Sequence, residues 1–128
     1  MRLLSVYCAD IGSVAKHRSG WFGGPRDMEA EGDDIRELVR RVATDVNGER
    51  AVALGFECPL FVPLSNDPMD LTLRRPGEGS RSWSAAAGSA VLPTGLTEVV
   101  WILREIRRQV STRTSAFLSW HDFQREGA

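Results

Sequence analysis

The sequence predicts an α/β protein in which helices pack on a mixed central sheet. Two short apolar runs, Leu3–Asp10 and Ala51–Glu57, have the pattern of buried strands, and each ends in one acidic residue. An amphipathic helical pattern separates them. A strand, a helix and a second buried strand are typical of a crossover unit with parallel strands. A chain of 128 residues fits a single domain, spanning residues 1–128.

Composition excludes several classes of protein. The 42% hydrophobic and 26% charged fractions are those of an ordinary globular protein. A net charge of -1 and a pI near 6.1 exclude a globally basic nucleic-acid-binding protein, but not a local basic patch. Because no apolar run reaches the roughly 18 residues of a membrane span and no signal peptide is evident, we expect a cytoplasmic protein without a membrane partner. Cys8 and Cys58 lack metal-site spacing and are expected to be free thiols.

The first strand is apolar on both sides, which predicts a central strand covered on both faces. Asp10 at its end has no packing role; it either caps a turn or belongs to a site. Lys16–Gly20 is typical of a turn into a second strand, Trp21–Phe22. The following Gly23–Gly32 has loop chemistry, and no third strand is evident in it.

The first helix is predicted over residues 34–47. Asp33 and Asp34 provide an N-cap and suit the positive end of the helix dipole. Asn47-Gly48 indicates a left-handed C-cap. The apolar stripe is Ile35, Leu38, Val39, Val42 and Val46, and the other face carries Arg36, Glu37, Arg40, Arg41 and Asp45. That charged face is interpreted as solvated, with a nucleic-acid role for its arginines as the alternative.

The second buried strand must stop near Glu57, because Pro59 cannot continue a central ladder. If the two strands are parallel neighbours, Asp10 and Glu57 lie side by side at their carboxyl ends. Ligands bind at this edge of open α/β sheets. Side-chain alternation makes a Cys8–Cys58 disulfide unfavourable.

The second half of the chain begins with a long irregular stretch, Ser65–Trp83. Its arginines, Arg74, Arg75 and Arg81, are candidates to bind phosphates; the alternative is a solvated loop. Residues 84–92 fit a helical turn or two that Pro93 breaks.

A second helix is predicted from Gly95 to about Val110, with Thr94 as N-cap. Its wide apolar face consists of Leu96, Val99, Val100, Ile102, Leu103, Ile106 and Val110. Thr114–Trp120 is predicted as a third core strand, and His121 and Asp122 follow it.

The order of these elements resembles the ribonuclease H-like fold. Asp10-Ile11-Gly12-Ser13 with Gly20-Trp21 resembles the opening hairpin of the ribonuclease H-like nucleases long classed as a domain of unknown function. Ala53–Leu60 resembles their second acidic strand, with Glu57 where the family usually has Asp. The resemblance covers roughly residues 2–120. It implies a three-layer fold, and further helices that family members carry after the position of Trp120 are expected to be missing.

The resemblance also implies metal-dependent cleavage of phosphodiesters. Asp10 and Glu57 would then hold Mg²⁺ or Mn²⁺, with Asp122 as a third catalytic acid and His121 as a proton carrier. The substrate would be a nucleic acid. Two alternatives stay open: a non-catalytic scaffold that assembles with a partner, and an actin- or sugar-kinase-like phosphotransferase. Because an apolar sheet face or strand edge is expected to lack a cover, the sequence also predicts a homodimer.

Overall fold

The computed structural model describes residues 3–60, 65–74, 79–80, 82 and 87–117. Within these residues the chain is mixed α/β, with a four-stranded mixed sheet and two α-helices. The strands are β1 (Leu4–Ala9), β2 (Trp21–Pro25), β3 (Ala30–Gly32) and β4 (Ala51–Phe56), and the helices are α1 (Ile35–Asn47) and α2 (Ala87–Gln109). Two short 3-10 turns cover Val14–Lys16 and Pro68–Asp70.

The sheet has the strand order β3-β2-β1-β4. β1 pairs antiparallel with β2 and parallel with β4, so the predicted hairpin and the predicted parallel pair are both confirmed. β2 extends to Pro25, beyond the predicted Trp21–Phe22. The parallel register joins Leu4 to Ala51 and Ala9 to Phe56. β1 therefore lies between its antiparallel neighbour β2 and its parallel neighbour β4.

β1 has one buried face and one exposed face. The inward residues are Ser5, Tyr7 and Ala9, and the outward residues are Leu4, Val6 and Cys8. The prediction of a strand covered on both faces is wrong within the described residues, since Leu4 and Val6 are 46% and 48% exposed. The reason is that α1 and α2 contribute to one core cluster on the inward side. We call the opposite side of the sheet the outer face.

α1 follows the sequence prediction closely. The Asp34 side chain caps it by accepting a hydrogen bond from the Arg36 amide at 2.8 Å. Its inward stripe is buried, with Leu38 and Val39 both at 0% exposure. The predicted left-handed C-cap is displaced by one residue: Gly48 has φ -83°, and Glu49 takes the left-handed conformation with φ 61°.

A side-chain hydrogen bond crosses the core between the sheet and α1. The Tyr7 hydroxyl donates to Asp45 Oδ2 at 2.8 Å, which links the centre of β1 to α1. Burial, and then the neighbouring Asp45 carboxylate, raise the pKa of Tyr7 to about 12. The phenol is therefore neutral and bound in the folded protein throughout the physiological range.

A third strand, β3, occupies residues that the sequence suggested were loop. It pairs antiparallel with β2, joining Trp21 to Gly32 and Gly23 to Ala30. Its three residues, Ala-Glu-Gly, have low strand propensity, so the partner strand and not the local sequence places it in the sheet.

α2 begins earlier than predicted and passes through Pro93 without ending. Proline removes one backbone donor, but the remaining ladder keeps the segment helical. Val99 and Ile102 are buried as predicted. The predicted apolar face is nevertheless too wide, because three of its members are exposed: Leu96 (48%), Val100 (62%) and Leu103 (47%). We call these three residues the α2 stripe.

The segment after α2 is tied to the end of α1. Asn47 Nδ2 donates to the Gln109 carbonyl at 3.0 Å, and Asn47 Oδ1 accepts from the Ser111 amide at 2.9 Å. Residues 110–117 have no regular secondary structure, so the strand predicted from Thr114 is wrong for 114–117, and its remainder lies outside the described residues. None of the described helices has the length and apolar composition needed to cross a membrane.

Candidate functional site

The two acids that end the parallel strands lie next to each other. Ala9 and Phe56 are the last paired residues of β1 and β4, and Asp10 and Glu57 follow them directly. The Glu57 amide donates to the Ala9 carbonyl at 2.9 Å, so the ladder continues up to the acids themselves. The structure thus brings together the two carboxylates that the sequence predicted to be neighbours.

Both carboxylates border an open depression of about 560 Å³ at the carboxyl edge of the sheet. Its lining comprises Cys8, Ala9, Asp10, Gly20, Trp21, Phe22, Gly55, Phe56 and Glu57. Asp10 and Glu57 are exposed, and neither forms an ion pair with a cation of the described chain. Like charges in adjacent positions repel, and a bound cation relieves that repulsion. The depression therefore favours a cationic ligand at its acidic end.

The loop between β1 and β2 is closed on itself by backbone contacts. The Ser13 carbonyl accepts hydrogen bonds from the Lys16 amide at 3.1 Å and from the Arg18 amide at 3.0 Å. A Cβ on Gly12 would lie 2.2 Å from the Arg18 carbonyl oxygen, so only glycine fits at this close approach. These contacts order the backbone of the loop, which starts at Asp10 and carries three consecutive basic residues at positions 16–18.

A third carboxylate, which the sequence did not predict as part of the site, lies near Asp10 on the side of α2. Glu98 of α2 is buried, with 8% exposure. Burial raises the pKa of this carboxyl, and the negative charge of Asp10 raises it further, while hydrogen bonds from Ser19 and the Gly12 amide oppose the shift. The Asp10 carboxylate is therefore close enough to Glu98 to raise the pKa of that buried carboxyl.

The Ser19 hydroxyl has two acceptors for its single proton. It lies 2.8 Å from the Gly12 carbonyl oxygen and 3.3 Å from Glu98 Oε2. The hydroxyl donates to the Gly12 carbonyl at the shorter distance and to Glu98 at the longer one. A donor directed at Glu98 favours its ionised form and therefore opposes the rise in pKa that burial produces.

α2 reaches the acidic edge because it packs tightly on the segment after β4. A Cβ on Gly95 would lie 2.8 Å from the Cys58 sulfur, so the helix axis approaches this segment closely. Burial, followed by the Glu98 charge, raises the pKa of the Cys58 thiol. Cys8 and Cys58 are free, as predicted. The Cys58 thiol is consequently a neutral packing group beside Glu98.

One signal for Glu98 was present in the sequence. Glu98 stands one helical turn before Ile102, which is 0% exposed, so the two share the inward face of α2. An acid on the buried face of a helix requires a partner or a function.

The other predicted site residues do not join this cluster in the described chain. Arg74 is exposed; its Nη1 donates to the Gly79 carbonyl at 2.8 Å, and it does not line the depression. The predicted Arg75, Arg81 and Asp122, with His121, lie outside the described residues.

The donor chemistry of the site is that of two adjacent carboxylates. Among the described residues, no group of three or more His, Cys, Asp or Glu side chains is arranged to hold a metal ion. Mg²⁺ and Mn²⁺ are commonly bound by one or two protein carboxylates, with water and substrate phosphate completing the coordination. Asp10 and Glu57 fit that requirement.

Comparisons with known proteins leave the chemistry of the site as the main guide to function. The sequence matches no family model and no curated protein, and the fold matches no solved structure.

Proposed function

We propose that this chain is a metal-dependent phosphodiester hydrolase, a nuclease of the ribonuclease H-like type. One observation carries the proposal: the parallel register of β1 and β4 makes neighbours of Asp10 and Glu57, two exposed carboxylates without a cationic partner in the described chain. Carboxylates at the carboxyl ends of adjacent parallel strands occupy the usual ligand edge of an α/β sheet.

The reaction class is hydrolysis. Water adds to phosphorus, one P–O bond breaks, and the products are a phosphate monoester and an alcohol. A bound divalent cation supplies Lewis acidity to the phosphoryl oxygens and lowers the pKa of bound water. The part of the chain itself is to hold that cation through Asp10 and Glu57. Glu98 adds a third negative charge behind Asp10 whenever it is ionised.

The order of the elements supports the ribonuclease H-like type. Three antiparallel strands, a helix and a strand parallel to the first follow one another, as the resemblance implies. β3, which the sequence did not indicate, completes the antiparallel part of this order.

The test is calorimetric titration with Mn²⁺ of the native chain, Asp10→Asn and Glu57→Gln, each checked for folding by circular dichroism. We expect both substitutions to abolish binding, because each removes one of the two anionic ligands. Glu31→Gln, at an exposed acid of β3 outside the depression, is the matched control and should bind as the native chain does.

Cleavage of labelled DNA and RNA oligonucleotides in Mn²⁺ then tests the reaction. We expect cleavage by the native chain and none by Asp10→Asn or Glu57→Gln. Ion binding that survives both substitutions would overturn the site. Ion binding without cleavage of any oligonucleotide would overturn the hydrolase and leave a binding protein.

A non-catalytic scaffold is the second candidate, and the α2 stripe favours it. A helix that is apolar on a second face is usually covered by another surface. Leu96, Val100 and Leu103 are about half exposed or more, so they offer such a surface to a second copy of the chain. In this alternative the protein is a homodimer whose acidic edge binds a ligand without cleaving it.

A further inference from the structure

The acidic depression also contains an exposed aromatic ring. Phe22 is 53% exposed and lies opposite Cys8 in the β1–β2 register, on the outer face. It lines the same depression as Asp10 and Glu57. Its neighbour Trp21, in contrast, is 5% exposed and bonded through Nε1 to a backbone carbonyl. Within the described residues, more than half of Phe22 is therefore exposed, whereas Trp21 belongs to the core.

Two cations without an ion pair in the described chain lie in the loop that joins β1 to β2 at this edge. Lys16 and Arg18 are exposed, and neither forms an ion pair within the described residues. Between them, His17 is paired with Asp33 at 3.2 Å. The arginines of α1 differ, because Arg36, Arg40 and Arg41 all contact carboxylates of their own helix or its cap. The positive charge of Lys16 and Arg18 is thus available to an anionic ligand.

The loop that carries these cations is anchored at the acidic edge by its backbone. Their loop leaves the sheet at Asp10 and returns at Gly20, and the Asp10 amide donates to the Gly20 carbonyl at 2.8 Å. Both ends of the loop line the depression. A ligand that occupies the depression therefore lies at the foot of the loop that carries both cations.

We infer that the depression binds single-stranded nucleic acid, with a base stacked on Phe22 and the adjoining phosphates held by Lys16 and Arg18. Stacking platforms beside a cationic track are the means by which proteins bind single strands. In a duplex the base faces are already stacked, so the phenyl ring has nothing to bind. The inference rests on the proposed function and specifies its substrate class.

Binding is to be measured where neither metal nor cleavage contributes. The chain with both Asp10→Asn and Glu57→Gln, in EDTA, is titrated with fluorescently labelled oligothymidylate and followed by anisotropy. Adding Phe22→Ala should weaken binding about tenfold, the typical loss for one stacked base. Leu4→Ala is the matched control, because Leu4 is 46% exposed on the same outer face of the sheet as Phe22 but does not line the depression.

The cations are tested through the salt dependence of the same binding. Replacing both Lys16 and Arg18 by alanine should reduce the slope of log affinity against log salt by about 1.4, or about 0.7 for each lost phosphate contact with a single strand. Arg26→Ala is the control, because Arg26 is an exposed cation in the turn at the opposite end of β1 and β2.

The results that would overturn this inference differ from those that would overturn the proposed hydrolase. Equal affinity of the Phe22→Ala variant, an unchanged salt slope without Lys16 and Arg18, or tighter binding of a duplex of the same length would each overturn the inference. Loss of Mn²⁺ binding or of cleavage, measured separately on the native acids, bears on the hydrolase and leaves this binding result unaffected.

Discussion

At the scale of single residues, the acidic edge combines two exposed carboxylates with one buried carboxyl. Asp10 and Glu57 follow from the sequence, because each ends an apolar strand. Glu98 does not, because its burial depends on how α2 packs against the loop after β1. Burial disfavours the ionised form of the Glu98 carboxyl and is the main cause of its raised pKa, so ionised Glu98 destabilises the folded protein.

We expect Glu98→Gln to stabilise the protein at neutral pH. A raised folded-state pKa means that the Glu98 contribution is fully present below its ordinary pKa and is lost as the pH rises through the raised value. Glutamine mimics the protonated form at every pH and keeps an oxygen to accept from Ser19. The urea midpoint of the variant should therefore exceed that of the native chain at pH 7 and approach it at pH 4.

Glu29→Gln, at an exposed position directly before β3, provides the comparison for Glu98→Gln. It should leave the urea midpoint unchanged at both pH values. A Glu98→Gln variant that is less stable than the native chain at pH 7 would show that the ionised carboxylate, and not the protonated form, is the stabilised state.

At the scale of elements, the periodicity of apolar residues was enough to predict those helices and strands whose pattern shows directly which residues are buried. The apolar stripe at residues 35–46 and the preceding Asp34 predict the helix α1, its buried face and its N-cap, and all three are observed. The apolar runs before Asp10 and Glu57 predict β1 and β4 and their parallel pairing. The acidic pair follows directly from these elements, so this half of the site could be derived from the sequence.

The remaining elements depend on partners distant in sequence. β3 is a strand because β2 offers it a ladder, and Ala30-Glu31-Gly32 contains no signal of its own. Pro93 does not end α2, because packing of the helix outweighs the local cost of proline. The sequence also could not show that β1 is covered on one face only, because this depends on both helices packing on the same side of the sheet. Tertiary packing overrides propensity in each case.

Leu38 tests whether α1 is held by its buried stripe. Leu38→Ala should lower the free energy of unfolding by about 2–5 kcal/mol, because the side chain is 0% exposed and leaves a cavity. Leu73→Ala makes the same chemical change at a position that is 55% exposed and lies outside the α2 stripe, and it should cost no more than about 0.5 kcal/mol. Equal losses from the two substitutions, measured by urea unfolding, would mean that burial of Leu38 does not stabilise α1.

At the scale of the whole molecule, apolar surface is exposed on two sides of the described chain. The outer face shows Leu4 and Val6, and α2 shows its stripe. The stripe is the better interface, because three residues at helical spacing form a continuous ridge that a second helix can meet. None of these three residues lines the acidic depression.

We therefore propose a two-fold homodimer that buries the α2 stripe. Light scattering should give the mass of two chains, and Val100→Glu should give one, because a charge at the centre of the ridge is costly to bury. Val100 is 62% exposed in the single chain, so this change should leave the monomer folded. Thr44→Glu, at an exposed position of α1, should remain dimeric. Native chain of monomeric mass at high concentration would exclude the dimer.

The parallel pairing of β1 with β4 has a consequence for how the proposed cation would bind. Asp10 belongs to a local hairpin, whereas Glu57 arrives only after the chain has closed over α1. Pairings between distant segments pay their loop-closure entropy before they gain contacts. An ion that needs oxygens from both acids cannot bind before that closure, so its affinity includes the free energy of joining β4 to β1. By mass action, the same ion would raise the melting temperature of the protein as its concentration rises.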